Sequence, residues 1–137
     1  MCIRDRVWTT TLVMQLVDEG RLDLDAPLVE VLPELQLGDP DVAKRVTMRH
    51  LLTHTSGIDG DVFTDTGRGD DALERYVAGL ADVPQISPLG AVFSYCNSGF
   101  VLVGRLVECG EEIAAGRARA EAEERGDAAT VFAYVAV

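Results

Sequence analysis

Lysine is nearly missing from this chain. Lys44 is the only one, and the 12 basic residues face 23 acidic ones. The formal charge of −11 argues against nucleic acid and anionic membrane surfaces as partners, because both are held through basic patches. No apolar run approaches the roughly 20 residues of a spanning helix, so no membrane segment is expected. Cysteine is sparse and odd in number: Cys2, Cys96 and Cys109 make neither a disulfide framework nor a metal spacing. Aromatics are only 6% of the residues, and long strand patterns are scarce. The hydrophobic fraction is 47% over 137 residues, enough for the core of one domain.

What is present is helical. Leu12, Val13, Leu16 and Val17 repeat at helical period over Trp8 to Glu19, and Gly20 is the stop. Asp25-Ala26-Pro27 opens a short helix through Val29 and Leu32, with proline at an N-terminal position. Residues 37–41 read as loop. Thr47 is the expected N-cap of a helix over Met48 to Thr53. A polar loop spans 57–69, and Asp70 and Asp71 cap a helix through Leu73, Tyr76, Val77 and Leu80. Asn97 or Ser98 caps a last helix through Val101, Leu102, Leu106 and Val107.

The chemistry concentrates just before that last helix. Pro88 and Gly90 predict a turn, since proline presets φ and glycine tolerates positive φ. Val92 to Tyr95 follow as an extended piece. Residues two apart in extended backbone point the same way. Tyr95 and Asn97 therefore face one cleft, with Cys96 turned away. A bare Tyr-x-Asn triplet carries little information, and Asn97 as cap beside a half-buried Tyr95 is the plain alternative. The flanking run PLGAVFSYCNSGF (residues 88–100) resembles the Tyr-x-Asn element of the serine β-lactamase and penicillin-binding-protein superfamily. It is most similar to the branch of class C β-lactamases, D-aminopeptidases and esterases. VTMRHLLTHTSGI (residues 46–58) resembles a second signature of that branch, and LVMQLVDEGRLDLDAPL (residues 12–28) resembles the stretch after its nucleophile. The blocks stand in family order and cover roughly residues 7–108.

The resemblance implies the mostly α, helical middle of the α/β serine β-lactamase-like (DD-peptidase) fold, with little of its sheet. It implies acyl transfer through a serine ester on a small-molecule or peptide substrate: a lactam, a D-amino-acid peptide or an ester. Tyr95 would shuttle the proton between nucleophile and leaving group, and Asn97 would orient the lysine and the substrate amide. No cofactor and no metal are called for. The family's nucleophile lies in Ser-x-x-Lys, which alignment places at Ile3 and Arg6. Isoleucine offers no nucleophile, and a guanidinium stays protonated and cannot be a base. The third motif, Lys-Thr-Gly or His-x-Gly, is not among these residues. A phenol with a pKa of about 10 is a poor base at neutral pH unless nearby cations favour the phenolate. The chain itself is thus expected to be inert. The alternative is a non-catalytic module of the same fold that binds peptidoglycan-like peptides or another protein.

The ends depart from the family. Residues 1–6, MCIRDR, resemble the translated end of a sequencing-library adapter and are expected to be an artefact. Reads that carry them in frame independently would refute this. With the natural start expected upstream, periplasmic, secreted and cytoplasmic settings all stay open. Residues 109–137 are expected to be a divergent tail. A frameshift near Cys109 is one account; a polar helix over 111–125 with an edge strand over 130–137 is the other. A fragment lacking much of its sheet is expected to expose apolar faces and to be marginally stable.

Other constellations weigh less. His50 and His54 are i, i+4, a zinc-compatible spacing without a third ligand, and read better as structural. Asp59, Asp61, Asp65 and Asp70 read as a solvated acidic loop, since Phe63 and Thr64 break the calcium pattern. Ser56 lacks a nucleophile-elbow setting and is expected to bond local backbone in a turn.

Overall fold

The computed structural model describes the backbone of residues 3–124 and the side chains of residues 5–110. Five helices follow in order: α1 (Ile3–Asp18), α2 (Pro40–Ala43), α3 (Met48–Leu52), α4 (Ala72–Ala78) and α5 (Asn97–Glu124), with short 3-10 turns at Leu28–Glu30 and Gly79–Asp82. Among the described residues no strand forms. Two isolated antiparallel bridges occur, Pro27 with Thr47 and Ile58 with Gln85. The mostly α architecture agrees with the sequence reading.

α5 is the hub, packed by α1, α3 and α4. Leu102, Val103 and Leu106 of α5, Val13 and Leu16 of α1, Met48 and Leu51 of α3 and Val77 of α4 share one buried core. Each such side chain contributes about 1.5–3 kcal/mol by leaving water, so the core orients the loops between the helices. One polar link runs through it. The Tyr76 hydroxyl donates to Val62 O at 2.6 Å and accepts from the buried Ser98 hydroxyl at 3.1 Å, tying α4 and the 57–69 loop to α5.

Thr47 caps α3 as expected. Its Oγ1 accepts from His50 N, and His50 Nδ1 accepts from Thr47 N at 3.2 Å, a reciprocal capping box with histidine in place of the usual Glu or Gln. The Pro88–Gly90 turn also forms, with Ala91 N donating to Pro88 O at 3.1 Å and Gly90 at φ 76°.

Several elements differ from the sequence reading. Residues 37–41 are not all loop: Asp39 Oδ1 accepts from Asp41 N and Val42 N and starts α2, with Pro40 in its first turn. Pro27 lies outside its helix, as the extended residue before a 3-10 turn of only three residues. Asp71 occupies the N-cap position of α4 without a side-chain cap bond. Its carboxylate instead pairs with Arg75 one turn on, at 2.9 Å. Neither Asn97 nor Ser98 caps α5. Cys96 does, its Sγ accepting from Gly99 N at 3.1 Å, because the Asn97 and Ser98 side chains are engaged elsewhere. α5 continues without a break past residue 108 to Glu124. Cys109, the first residue of the expected tail, is buried in the core; the tail's side chains beyond residue 110 and the expected strand over 130–137 lie outside the described residues.

Candidate functional site

The residues before α5 form an irregular segment, 93–96, across the N-terminal end of the helix. Cys96 points inward and is buried, while the Tyr95 ring is half exposed. The alternation expected for extended backbone therefore holds here. Burial pushes the Cys96 thiol above its ordinary value, which suits a capping sulfur and not a nucleophile.

Tyr95 and Asn97 meet at Arg6, which α1 places beside them. Arg6 Nη2 donates to Asn97 Oδ1. The same guanidinium lies over the Tyr95 ring at 4.8 Å from its centroid and over the Phe100 ring at 4.6 Å. Asn97 is held on its other sides as well. Its Nδ2 donates to Asp61 Oδ1 at 3.4 Å, and its backbone N–H donates to Gly60 O at 3.1 Å. Arg6 is itself buried, and its Nε and Nη1 have no hydrogen-bond partner among the described residues.

His54 completes the cluster. It ends the turn after α3 in the left-handed region, at φ 57°. Its ring lies 4.6 Å from the Tyr95 ring and 5.3 Å from Phe100, with Phe93 edge-on at 5.6 Å. Burial, and secondarily the Arg6 charge, holds its imidazole below the ordinary pKa. His50 is also lowered, chiefly by burial. The imidazoles do not face each other as ligands: His50 Nδ1 accepts from Thr47 N, and His54 Nδ1 accepts from Cys96 N at 3.1 Å. A pocket of about 630 Å³ opens between α1 and the rings, lined by Arg6, Thr10, Met14, His54, Tyr95 and Phe100. A larger cavity of about 840 Å³, lined by Leu22, Leu28 and Leu106 among others, touches none of the candidate residues.

The lesser candidates resolve simply. Asp59 and Asp65 accept from the amides of Asp61 and Gly67, two residues on, as turn-forming carboxylates do. Ser56 is buried and its hydroxyl has no backbone partner, contrary to the turn-bonding role expected of it. Chemically, the arrangement offers a phenol lining an apolar pocket and a carboxamide held by the same permanent cation that lines it. Sequence reasoning placed Tyr95 and Asn97 together but missed the partnership of His54 with Tyr95. The only local signal was a histidine within a Thr-His-Thr-Ser-Gly turn, and its side-chain hydrogen bond to that segment, from Cys96 N, spans 42 positions.

A family described as Beta-lactamase matches residues 7–109. The chain is 53% identical over 103 residues to "Penicillin-binding protein 4" of Amycolatopsis lactamdurans, across 75% of this chain and 27% of that protein. It is 34% identical over 110 residues to "Esterase EstB" of Burkholderia gladioli, across 70% of this chain and 28% of that one. A D-stereospecific amidohydrolase from Streptomyces sp. superposes with a TM-score of 0.61 at 34% identity, over 77% of this chain and 35% of that one. SurE with D-Leu superposes with a TM-score of 0.66 at 37% identity, over 77% of this chain and 22% of that one. The chain thus spans about a quarter of the length of these two curated relatives.

Proposed function

This chain belongs to the Beta-lactamase family and forms a helical fragment of its fold, and on that premise we propose that it derives from a serine hydrolase. The reaction is acyl transfer to a serine hydroxyl from a lactam, a D-amino-acid peptide or an ester. Relatives named as a penicillin-binding protein, an esterase and a D-stereospecific amidohydrolase support that substrate range. Within it, Tyr95 carries the proton between nucleophile and leaving group, and Asn97 orients the amide.

We further propose that these 137 residues by themselves turn nothing over. The observation that carries this reading is Arg6 on Tyr95 and Asn97. A cation stands where the family's lysine belongs, but it is a guanidinium, which keeps its proton. Three positions earlier stands Ile3 in place of a nucleophile. We propose a division into a foreign leader (1–6), a partial domain (7–108) and a divergent tail (109–137); the family match over residues 7–109 supports its middle part.

Two measurements test the proposal. The chain is incubated with nitrocefin, p-nitrophenyl acetate and a fluorescent penicillin. Neither hydrolysis above the buffer rate nor covalent labelling is expected, and turnover that Tyr95→Phe abolishes would overturn the inert reading. In the complete parent enzyme, Tyr95→Phe is expected to lower kcat by about 10²–10⁴, the usual worth of a positioned proton carrier. An unchanged kcat removes Tyr95 from the mechanism.

A further inference from the structure

His54 grips the chain on both sides of Tyr95. Its carbonyl accepts from Ser94 N at 2.8 Å, and its Nδ1 accepts from Cys96 N at 3.1 Å. Between those two amides stands Tyr95, whose ring lies 4.6 Å from the imidazole at 36°. One residue therefore restrains the backbone before the phenol, the backbone after it, and the ring. The restraint uses unusual backbone. At φ 57° a non-glycine residue is strained, and the conformation aims both the carbonyl and the ring of His54 at the same segment. Histidine and asparagine are among the residues that enter this region most readily.

We propose that His54 is a positioning residue for Tyr95, setting the orientation of the phenol through its carbonyl, its Nδ1 and its ring. The role needs a neutral imidazole with the proton on Nε2, because Nδ1 must accept. A second proton would put Nδ1–H against the Cys96 amide and a positive charge beside Arg6. The groups facing the ring agree with this demand. The Arg6 charge acts on it from α1, Phe93, Tyr95 and Cys96 meet it from the 93–96 segment, and α5 presents the neutral Phe100. On its own side the nearest titratable neighbour in sequence is His50, whose Nδ1 is engaged at Thr47. The catalytic meaning of the inference rests on the proposed role of Tyr95. The geometry does not, and the experiment reads geometry.

The test uses the unmodified chain first. Long-range ¹H–¹⁵N spectra are expected to show His54 as the Nε2–H tautomer. On acidification the Cys96 amide and Tyr95 ring resonances are expected to move with the His54 titration, while the Leu102 amide does not. An Nδ1–H tautomer, or Cys96 and Tyr95 signals indifferent to His54, overturns the proposal. Variants then separate the acceptor from mere bulk. His54→Asn keeps an acceptor and tolerates the left-handed backbone, so Cys96 amide exchange is expected to stay within a few-fold of the parent chain. His54→Ala is expected to speed it by about tenfold or more, with the Leu102 amide unchanged, as in a local opening. Equal exchange at Cys96 in both variants also overturns it. A correct His54 result beside an unchanged kcat for Tyr95→Phe in the parent enzyme would sink the catalytic reading alone.

Discussion

Arg6 Nη2 donates to Asn97 Oδ1 across 91 positions of sequence, which fixes the Asn97 carboxamide with its oxygen toward α1 and its nitrogen toward Asp61. The same guanidinium covers Tyr95, so both candidate residues share a single cationic neighbour. Among the described residues that neighbour is held by one side-chain hydrogen bond and two ring faces, while two of its nitrogens are buried without partners.

The balance of those terms predicts the outcome of Arg6→Met. Removing the guanidinium loses one charged hydrogen bond, about 1.5–3 kcal/mol, and ring contacts of about 0.5–2 kcal/mol. It also relieves two unsatisfied buried donors at about 1–3 kcal/mol each. The two sides are similar, so urea denaturation is expected to find the stability of Arg6→Met within about 1 kcal/mol of the parent chain. A loss beyond roughly 2 kcal/mol would mean that the Arg6–Asn97 contact dominates.

Gly60→Ala is expected to damage the site by another route. A Cβ at position 60 would stand 2.7 Å from both Cys96 Cα and Tyr95 O. Both are main-chain atoms and cannot rotate away. The 58–62 segment would be displaced from the start of α5, breaking the Asn97 N to Gly60 O bond. Overpacking of this kind typically costs 1–3 kcal/mol. Denaturation should show a loss in that range, with amide shifts concentrated at residues 95–97. A change confined to residues near 60 counts against the coupling.

Stability should rise with pH across the histidine range. His50 and His54 are both held below the ordinary 6.5, chiefly by burial. Between the lowered values and 6.5 the unfolded chain binds more protons than the folded one, so folding weakens as pH falls. The contribution is complete above about 6.5 and is lost as pH falls through the folded-state values. Urea midpoints at pH 5 and pH 8 are expected to differ in favour of pH 8, and His54→Asn should reduce the difference. Asp25, lowered by its hydrogen bond to Arg49, acts only near and below its ordinary 3.8 and leaves this window unaffected. A higher midpoint at pH 5 contradicts the assignment.

The outer face of α1 should make the chain self-associate. Trp8 is 66% exposed, with Val7, Leu12 and Met14 also open to water and Phe93 at 70%. Exposed large apolar side chains in this number on one helix and its neighbouring segment favour association. Light scattering is expected to show concentration-dependent oligomers, which the Trp8→Glu, Met14→Glu double variant reduces while helical circular dichroism is kept. A cooperative thermal transition of a monomeric parent chain would refute this.

What the chain alone determined is local. Helical periodicity marked the buried faces of α4 and α5 and, with the exception of the exposed Leu12, that of α1; Thr47 was legible as a cap, and Pro88 with Gly90 as a turn, because each rests on residues within one helical turn of one another. The alternation that puts Tyr95 outward and Cys96 inward is also local. Tertiary structure decided the rest. Asp39 could have been read as the cap of α2, but α5 is capped by a thiol because Asn97 and Ser98 are drawn to Arg6, Asp61 and Tyr76. Asp71, free of any capping bond, turns to Arg75. His50 and His54 share a zinc-like spacing, and only the left-handed backbone at His54 sends their rings to different partners. The contacts that define the site join α1, the loops after α3 and the start of α5 over 36 to 91 positions. Packing of the shared core sets those distances, and spacing along the chain carries no trace of them.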